Sequence, residues 1–264
     1  MKHVLSIAGS DSGGCAGIQA DLKTMCALGV YGMTAITAIT VQNTQGVRAV
    51  QEIDPEIVSG QIEAIFDDID VDAVKVGMVA NANIARAIRE ALAARKVNNL
   101  VVDPVMVSKN GSRLFSDEAV REIMHLVSMS TIATPNLFEA ELLSGLPIRS
   151  RDDMRAAAWK IREKGAGDII IKGGRLEGDA DDFLLICSDE IWLNCPRIDT
   201  KNTNGTGCSL STAIACFLAK GQDLRQAAAS SKEYITRAIR DSLDIGHGNG
   251  PLGHLIHLYQ MAKI

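Results

Sequence analysis

A glycine-rich turn in the last quarter of the sequence has the residue types of an anion-binding site. The stretch Lys201–Cys208 reads KNTNGTGC, and apolar residues at helical spacing follow it from Leu210 to Leu218. Backbone N–H groups at a helix start lie at the positive end of the helix dipole and bind anions, phosphate in particular. Gly205 and Gly207 have no Cβ, so a ligand can approach the backbone closely. An ordinary helix entry with a buried cysteine is the alternative interpretation.

Polar or glycine-bearing loops follow six predicted strands. Those strands cover residues 4–8, 35–41, 73–76, 100–102, 131–133 and 169–171, with amphipathic helical stretches between them. This alternation predicts βαβ units, and therefore a mainly parallel α/β sheet with helices on both faces, in one domain over residues 1–264. In such sheets ligands bind beyond the carboxyl ends of the strands. Residues 183–187 and 190–195 predict an antiparallel hairpin at the far side.

Composition and patterning argue against several classes of protein. The chain carries 27 Lys and Arg against 32 Asp and Glu, so it lacks the basic footprint of a nucleic-acid-binding protein. No apolar run approaches the ~20 residues of a membrane span, and we expect a cytoplasmic protein. The six cysteines contain no C-x-x-C pair, which argues against zinc. His254 and His257 are spaced i, i+3, but a solvated helix face is the favoured interpretation over a metal site.

Two nucleotide-binding motifs are not fulfilled. Gly9 and Gly14 have the spacing of a Walker motif, but Cys15 stands where that motif needs lysine. Residues 248–253 match G-x-G-x-x-G, yet they follow a helical stretch rather than a strand and contain a proline. We therefore interpret residues 248–253 as a loop, and a dehydrogenase is a weak alternative.

The order and spacing of the motifs resemble the ribokinase superfamily, and within it the hydroxymethylpyrimidine/phosphomethylpyrimidine kinases of thiamine biosynthesis. The resemblance runs nearly end to end. It rests on residues 7–11, 16–24, 27–29, 42–44, 75–78, 103–106, 134–139, 172–174, 201–208 and 246–251.

The resemblance implies a ribokinase-like three-layer α/β sandwich and a homodimer. It also implies ATP-dependent phosphorylation of 4-amino-5-hydroxymethyl-2-methylpyrimidine to its monophosphate and then to the diphosphate, with Mg²⁺. Two alternatives remain open at this point. One is a pyridoxal/pyridoxine kinase of vitamin B6 salvage, and the other is a non-catalytic pyrimidine-binding regulator with the same fold.

The resemblance also implies roles for individual residues. Residues 205–208 would form the anion hole for the transferring phosphoryl group, with Cys208 either as base for the alcohol proton or as a packing thiol. The catalytic residues implied are Gly205, Thr206, Gly207 and Cys208. Those implied for the pyrimidine are Gly9, Ala16, Asp21, Gln42, Met78 and Val105. Those implied for ATP are Asn136, Lys172, Thr203 and Lys232, and those implied for Mg²⁺ are Asp103 and Glu139.

Some of these residues also have a purely structural interpretation. Asp21 fits an acid in the first turn of a helix, and Asn136 with Glu139 fits a capping box. Lys232 fits a solvated surface lysine.

The sequence departs from the family pattern on both sides of the Gly-Thr-Gly-Cys motif. Asn204 stands where the family has His, and Ser209 stands where it has Thr. Neither change removes a backbone donor, so phosphate binding is expected to survive. Both changes leave the choice between pyrimidine and pyridoxal open. The flap that the resemblance implies after the second strand, at residues 46–50, does not decide it.

Overall fold

The computed structural model describes residues 1–106 and 117–263, and the strands in these ranges form one sheet. The strands are β1 (His3–Asp11), β2 (Tyr31–Asn43), β3 (Gly46–Glu52), β4 (Ala73–Val76), β5 (Leu100–Val102), β6 (Ile132–Ala133), β7 (Asp168–Ile171), β8 (Asp182–Ile186) and β9 (Asp189–Leu193). The helices are α1 (Gly17–Ala27), α2 (Pro55–Asp68), α3 (Ala82–Ala93), α4 (Asp117–Met129), α5 (Leu137–Ser144), α6 (Arg151–Glu163), α7 (Thr206–Ala219), α8 (Leu224–Arg240) and α9 (Ile256–Ala262). Across the described ranges, none of these helices has the length and apolar composition that crossing a membrane requires.

The sheet is parallel through its centre and antiparallel at both edges. In space the strands lie in the order β3-β2-β1-β4-β5-β6-β7-β8-β9. Neighbours from β2 to β7 pair in parallel, whereas β3 pairs antiparallel with β2, and β8 pairs antiparallel with β7 and β9. The predicted mainly parallel sheet is confirmed, and so is the hairpin at its far side.

Helices cover both faces because the central strands are apolar on both sides. In β1, Leu5 and Ile7 pack into a buried cluster with residues of α2, α3 and α6, whereas Val4 packs into a second cluster with α1, α7 and α8. Successive side chains of a strand point to opposite faces, so one strand contributes to both clusters. This is the predicted three-layer sandwich, and it holds the carboxyl ends of the parallel strands at one edge.

Helix caps fix two of the predicted site residues. The side chain of Asn136 accepts a hydrogen bond from the backbone of Glu139, and the Glu139 carboxylate accepts one from the backbone of Asn136. This capping box starts α5 directly after β6. Helix α5 then ends at Gly145, whose φ of 80° closes it in the left-handed conformation. The structural interpretation of the Asn136–Glu139 pair is therefore confirmed, and it places both residues at a strand end.

The flap predicted at residues 46–50 is part of a long hairpin at the sheet edge. β2 runs over Tyr31–Asn43 rather than residues 35–41, and residues 46–50 belong to β3. The two strands are paired over residues 38–52, which we call the flap hairpin. β3 is mostly exposed, so it has no continuous buried face and lacks the apolar alternation that marks a strand.

Candidate active site

A cavity of about 740 Å³ opens at the carboxyl ends of the parallel strands. Its walls are the end of β1, the loops after β4, β5, β6 and β7, the start of α7 and the inner side of the flap hairpin. This is the location expected for a ligand site in an open parallel sheet. The predicted site residues that line it are Gly9, Ala16, Gln42, Met78, Asp103, Val105, Asn136, Glu139, Lys172, Gly205, Gly207 and Cys208.

One wall is the segment Gly205–Cys208, which we call the anion turn. Gly205 is the N-cap of α7 and has a φ of 85°, a conformation that L-residues rarely adopt. A Cβ at Gly205 would also overlap the carbonyl oxygen of Cys15, so the position requires glycine for two reasons. Gly205 offers no side chain to cap the helix. The first N–H groups of α7 therefore lie at the cavity wall, at the positive end of the helix dipole.

The Cys208 thiol is protonated at neutral pH. Burial raises the pKa of Cys208 to about 11, although the charge of Lys75 and a hydrogen bond from the Gly17 backbone both favour the thiolate. A helix start ordinarily lowers the pKa of a thiol, but at Cys208 desolvation outweighs that effect. Cys208 can act as a base only if bound ligands lower its pKa.

Lys172 brings a positive charge to the anion turn. Its Nζ is 2.7 Å from a carboxylate oxygen of Asp103, whose side chain is 1% exposed. Burial opposes the charge of Lys172, but Asp103 and Glu139 outweigh it and raise the pKa of Lys172 above its ordinary value. The point where a Cβ would stand on Gly207 is 3.1 Å from the Lys172 Nζ. The ammonium and the backbone donors therefore converge on the same place.

Two carboxylates lie beside this cation. Thr134 donates a hydrogen bond to Asp103 at 3.2 Å, which fixes the carboxylate at the end of β5. Burial raises the pKa of Glu139 to about 7; the Lys172 ammonium acts against this shift, and the Asp103 charge adds to it. Asp103 and Glu139 both line the cavity, and both act on the charge of Lys172.

Asp21 does not reach the cavity, which corrects the expectation that it contacts the pyrimidine. Its side chain is fully buried and accepts hydrogen bonds from Ser6, Lys75 and Thr212. The Lys75 ammonium is 2.8 Å away and is also fully buried. Asp21 therefore ties α1 to β1, β4 and α7, and it supports the cavity from behind.

Breaking this buried ion pair is expected to destabilise the fold strongly. Asp21→Asn leaves the Lys75 ammonium without its counter-charge, and removing one partner of a buried pair costs about 3–5 kcal/mol. Urea titration gives the free energy of unfolding that checks this. Asp189→Asn is the matched control, because it breaks the exposed pair with Arg225, and exposed pairs contribute about 0–1 kcal/mol. Equal losses in the two variants would contradict the assigned role of Asp21.

Three other predicted residues lie outside the cavity lining. Thr203 is exposed, and its carbonyl accepts a hydrogen bond from the Thr206 hydroxyl at 2.7 Å, so these two residues shape the turn. Lys232 on α8 is 2.7 Å from Asp182, and its side chain is only 13% exposed. It lines a separate groove of about 560 Å³ with residues 192–196. Lys232 is therefore a paired lysine, not a solvated surface one.

Asp11 is a further residue of the site, and it is not among the predicted site residues. Its carboxylate accepts hydrogen bonds from the backbone N–H groups of Gly13, Cys15 and Ala16. Asp11 thereby holds the glycine-rich loop after β1 against the cavity. The available indication was an aspartate directly before a Ser-Gly-Gly stretch, because Asp favours local bonds to the following backbone.

Arg175 and the inner side of β3 were also missed. Arg175 lines the cavity three residues after Lys172 and adds a second cation to it. Val47 and Val50 of β3 line the cavity from the flap hairpin, together with Glu52 at the end of that strand. Val47 and Val50 belong to the flap at residues 46–50, but their position on the cavity wall has no local signal, because the path of the flap hairpin over the sheet edge depends on tertiary packing.

His254 is buried, which corrects the expectation of a solvated helix face. Its Nε2 is 2.8 Å from the Ser209 hydroxyl in the first turn of α7, and α9 begins only at Ile256. Burial and the charge of Lys23 lower the pKa of His254 to about 4. Its neighbour His257 is exposed as expected. Within the described ranges, no group of three or more His, Cys, Asp or Glu is placed to hold a metal ion.

Because His254 is buried and neutral, the free energy of unfolding decreases as the pH falls below 6.5. An unfolded histidine titrates near pH 6.5, so between pH 6.5 and about 4 the unfolded chain binds a proton that the folded chain does not. The contribution of His254 to stability is complete above pH 6.5 and falls by up to about 1.4 kcal/mol per pH unit as the pH drops towards 4. His254→Asn should flatten this slope in unfolding titrations at several pH values. The exposed His257→Asn variant should keep it, and an unchanged slope in His254→Asn would refute the assignment.

A family model and individual relatives of the chain point to the same protein family. The chain matches the phosphomethylpyrimidine kinase family model over residues 11–253. It is 46% identical to the hydroxymethylpyrimidine/phosphomethylpyrimidine kinase of Streptomyces coelicolor over 252 residues, covering 95% of this chain and 93% of that protein.

Two solved structures share the whole fold. The pyridoxal kinase of Bacillus subtilis, solved as an ADP complex, has a TM-score of 0.91 and 40% identity, with 97% of this chain and 98% of that chain covered. The phosphomethylpyrimidine kinase of Clostridium difficile has a TM-score of 0.80 and 44% identity, with 90% and 100% covered. The chain therefore belongs to the phosphomethylpyrimidine kinase family. The resemblance inferred from the motifs is confirmed, and with it the prediction that the chain is a kinase.

Proposed function

We propose that this kinase transfers the γ-phosphoryl group of ATP to the hydroxymethyl group of 4-amino-5-hydroxymethyl-2-methylpyrimidine, and then phosphorylates the monophosphate to the diphosphate, in thiamine diphosphate biosynthesis. One observation carries the proposal: a single cavity joins an apolar-walled half to a half built from the anion turn, Lys172 and two carboxylates. The similarity to the hydroxymethylpyrimidine/phosphomethylpyrimidine kinase of Streptomyces coelicolor supports the same substrate pair.

The apolar half suits an aminopyrimidine. Met78 and Val105 supply apolar walls, and Gly9 leaves room for the ring. The Gln42 amide offers both a donor and an acceptor to the ring edge. The Thr40 hydroxyl lies 3.0 Å from the Ser10 carbonyl and 3.2 Å from the Gln42 Oε1, and it restrains the Gln42 side chain beside the cavity.

The other half suits the phosphates of ATP. Phosphoryl transfer depends on positioning and charge neutralisation more than on covalent chemistry. The backbone donors of the anion turn and the Lys172 ammonium converge on one place and would hold the transferring group, while Arg175 adds charge at the rim. The separate groove that contains the paired Lys232 is where we propose that the rest of the nucleotide lies. The ADP complex of the pyridoxal kinase supports the use of ATP.

Asp103 and Glu139 fit Mg²⁺. This ion prefers oxygen ligands and is commonly held by one or two carboxylates together with substrate phosphates and water. Both carboxylates line the cavity beside Lys172. Asp103 and Glu139 would hold Mg²⁺ there, and the ion would supply neutralisation of phosphate charge. Within this arrangement the protein's own residues keep the phosphates oriented towards the anion turn.

Cys208 would receive the proton of the substrate hydroxyl or would only pack against it. Its raised pKa favours packing. A loose transition state needs little help from a base. We therefore propose that positioning by the anion turn contributes more to the rate than proton removal by Cys208.

A pyridoxal/pyridoxine kinase is the second candidate. The observation that favours it is the TM-score of 0.91 with the pyridoxal kinase of Bacillus subtilis. A pyridine with a hydroxymethyl group fits the same combination of apolar walls and anion turn. A third candidate, a non-catalytic pyrimidine-binding regulator, is disfavoured because Lys172, Asn136, Glu139 and the anion turn are all in place.

The test is a time course with MgATP and each pyrimidine as sole acceptor, with products resolved by mass. The proposal predicts that the monophosphate appears first and the diphosphate later, and that added monophosphate is also converted. Binding of the pyrimidine without any phosphorylated product would support the regulator instead.

We also propose a homodimer in the cytoplasm. The outer face of the flap hairpin exposes Ile39 and Val41, which are 47% and 54% exposed and suit contact with a second copy. The six free cysteines suit a reducing compartment. Light scattering after size-exclusion chromatography measures the mass in solution. We expect the mass of a dimer for the wild type and the mass of a monomer for Val41→Lys.

A further inference from the structure

The segment Gly246–His254, which we call the strap, contacts the tip of the flap hairpin. It contains the G-x-G-x-x-G match that is not a dinucleotide site. Thr44 lies in the turn between β2 and β3. The Gly248 N–H donates to the Thr44 hydroxyl at 3.2 Å, and the Asn249 N–H donates to the Thr44 carbonyl at 2.9 Å. The strap therefore holds the flap hairpin by its turn.

The same strap holds the anion turn on both flanks. Before the turn, the Gly250 N–H donates to Asn202 Oδ1 at 3.0 Å, and the Gly250 carbonyl accepts from the Asn204 N–H at 3.2 Å. After the turn, the Nε2 of His254 is 2.8 Å from the Ser209 hydroxyl. Asn202, Ser209 and His254 are all buried, so these bonds do not compete with bulk water.

The glycine spacing of the strap reflects close packing against these two partners. A Cβ at Gly246 or Gly248 would overlap Thr44, and a Cβ at Gly250 would lie 2.5 Å from Asn202 Oδ1. Gly248 is outside the left-handed region, so a side chain there would act through contact rather than through backbone strain. Closely packed groups transmit displacements because they leave no free volume to absorb them.

We propose that the strap couples acceptor binding at the flap hairpin to nucleotide binding at the anion turn. The inference rests on the proposed function, because it assigns the acceptor to the half of the cavity lined by Gln42, Val47 and Val50. An acceptor that draws the flap hairpin inward moves Thr44, and the strap carries the shift to Asn202. Each ligand then raises the affinity for the other by the same factor.

Isothermal titration calorimetry measures this factor directly. The Kd of the hydroxymethylpyrimidine is determined with and without a saturating non-hydrolysable ATP analogue, and we expect a ratio of roughly 5–150 for the wild type. Gly248→Ala pushes Thr44 away and should bring the ratio close to 1, while the Kd of each ligand alone changes far less. In turnover, the KM of the acceptor at saturating ATP should rise while kcat stays near the wild-type value.

Matched variants separate coupling from general damage. Gly60→Ala adds the same methyl group on α2, where it meets no atom within 4 Å, and should keep the wild-type ratio. Thr44→Val removes only the hydroxyl that accepts from Gly248, and it should lower the ratio part of the way. If Gly248→Ala does not fold, an unchanged ratio in Thr44→Val overturns the inference.

The other outcomes are equally decisive. The coupling is overturned if the ratio of the two Kd values is 1 in the wild type, or if Gly248→Ala keeps the ratio of the wild type. In either case the proposed function stands as long as the wild type phosphorylates the pyrimidine. A wild-type protein that does not bind the pyrimidine at all defeats the proposed function and the inference together.

Discussion

Gly207→Asp is expected to lower kcat by about 100- to 1000-fold, the range found when a donor to a developing anion is lost. The new carboxylate would stand where the transferring phosphoryl group is held, because the Cβ position of Gly207 is 3.1 Å from the Lys172 Nζ. It would pair with Lys172 and repel the phosphates. The Kd of the pyrimidine, which contacts the other half of the cavity, should change by only a few-fold. Steady-state kinetics and calorimetry measure the two effects separately.

Two control variants separate the effect of the added charge from the effects of side-chain size and of position in the fold. Gly207→Ala adds a Cβ without charge, and it should retain much more activity than the aspartate. Gly60→Asp adds the same charge on α2, far from the cavity, and should leave kcat unchanged. Full activity in Gly207→Asp would show that the anion turn does not hold the transferring phosphoryl group.

Lys172→Met is expected to cause the second large loss, also on the order of 100-fold or more in kcat/KM for ATP. The variant removes the cation next to the anion turn and leaves the buried carboxylates of Asp103 and Glu139 without it. Those carboxylates would then repel the phosphates that Lys172 now attracts. Lys172→Arg keeps the charge and should be the less damaging change.

Lys160→Met is the matched control for the loss of Lys172. It removes a lysine and its ion pair with Glu163 on the exposed side of α6. We expect kcat/KM to stay at the wild-type value, because such surface pairs contribute little. A Lys172→Met enzyme as active as this control would show that phosphate binding does not depend on Lys172.

The sequence was sufficient for the parts of the fold that depend on local pattern. β4 and β5 have the predicted bounds, because short runs such as the apolar Leu100–Val102 are buried on both faces. The turn at Gly205 was also predictable, because glycine is needed wherever the backbone is left-handed and closely packed. These are properties of a few consecutive residues.

The other parts of the fold and of the site depend on contacts between residues that are distant in the sequence. By sequence alone, Asp21 resembles an ordinary acid in the first turn of a helix. Its partners Lys75 and Thr212 are far away in the sequence, so local residue spacing does not predict these contacts. His254 reads as a surface residue by its spacing, yet its partner Ser209 lies in another helix. Residues 248–253 read as a loop because they follow a helical stretch and contain a proline, and their glycines turn out to fit close contacts with Thr44 and Asn202.

The most direct test of the proposed function is a competition in one reaction. The protein is given MgATP with equal concentrations of hydroxymethylpyrimidine and pyridoxal, and the early products are quantified by mass, so that their ratio equals the ratio of kcat/KM values. We predict an excess of the pyrimidine monophosphate, followed by the diphosphate. An excess of pyridoxal phosphate, with the pyrimidine left unphosphorylated, would contradict the proposal and assign this cavity to vitamin B6 instead.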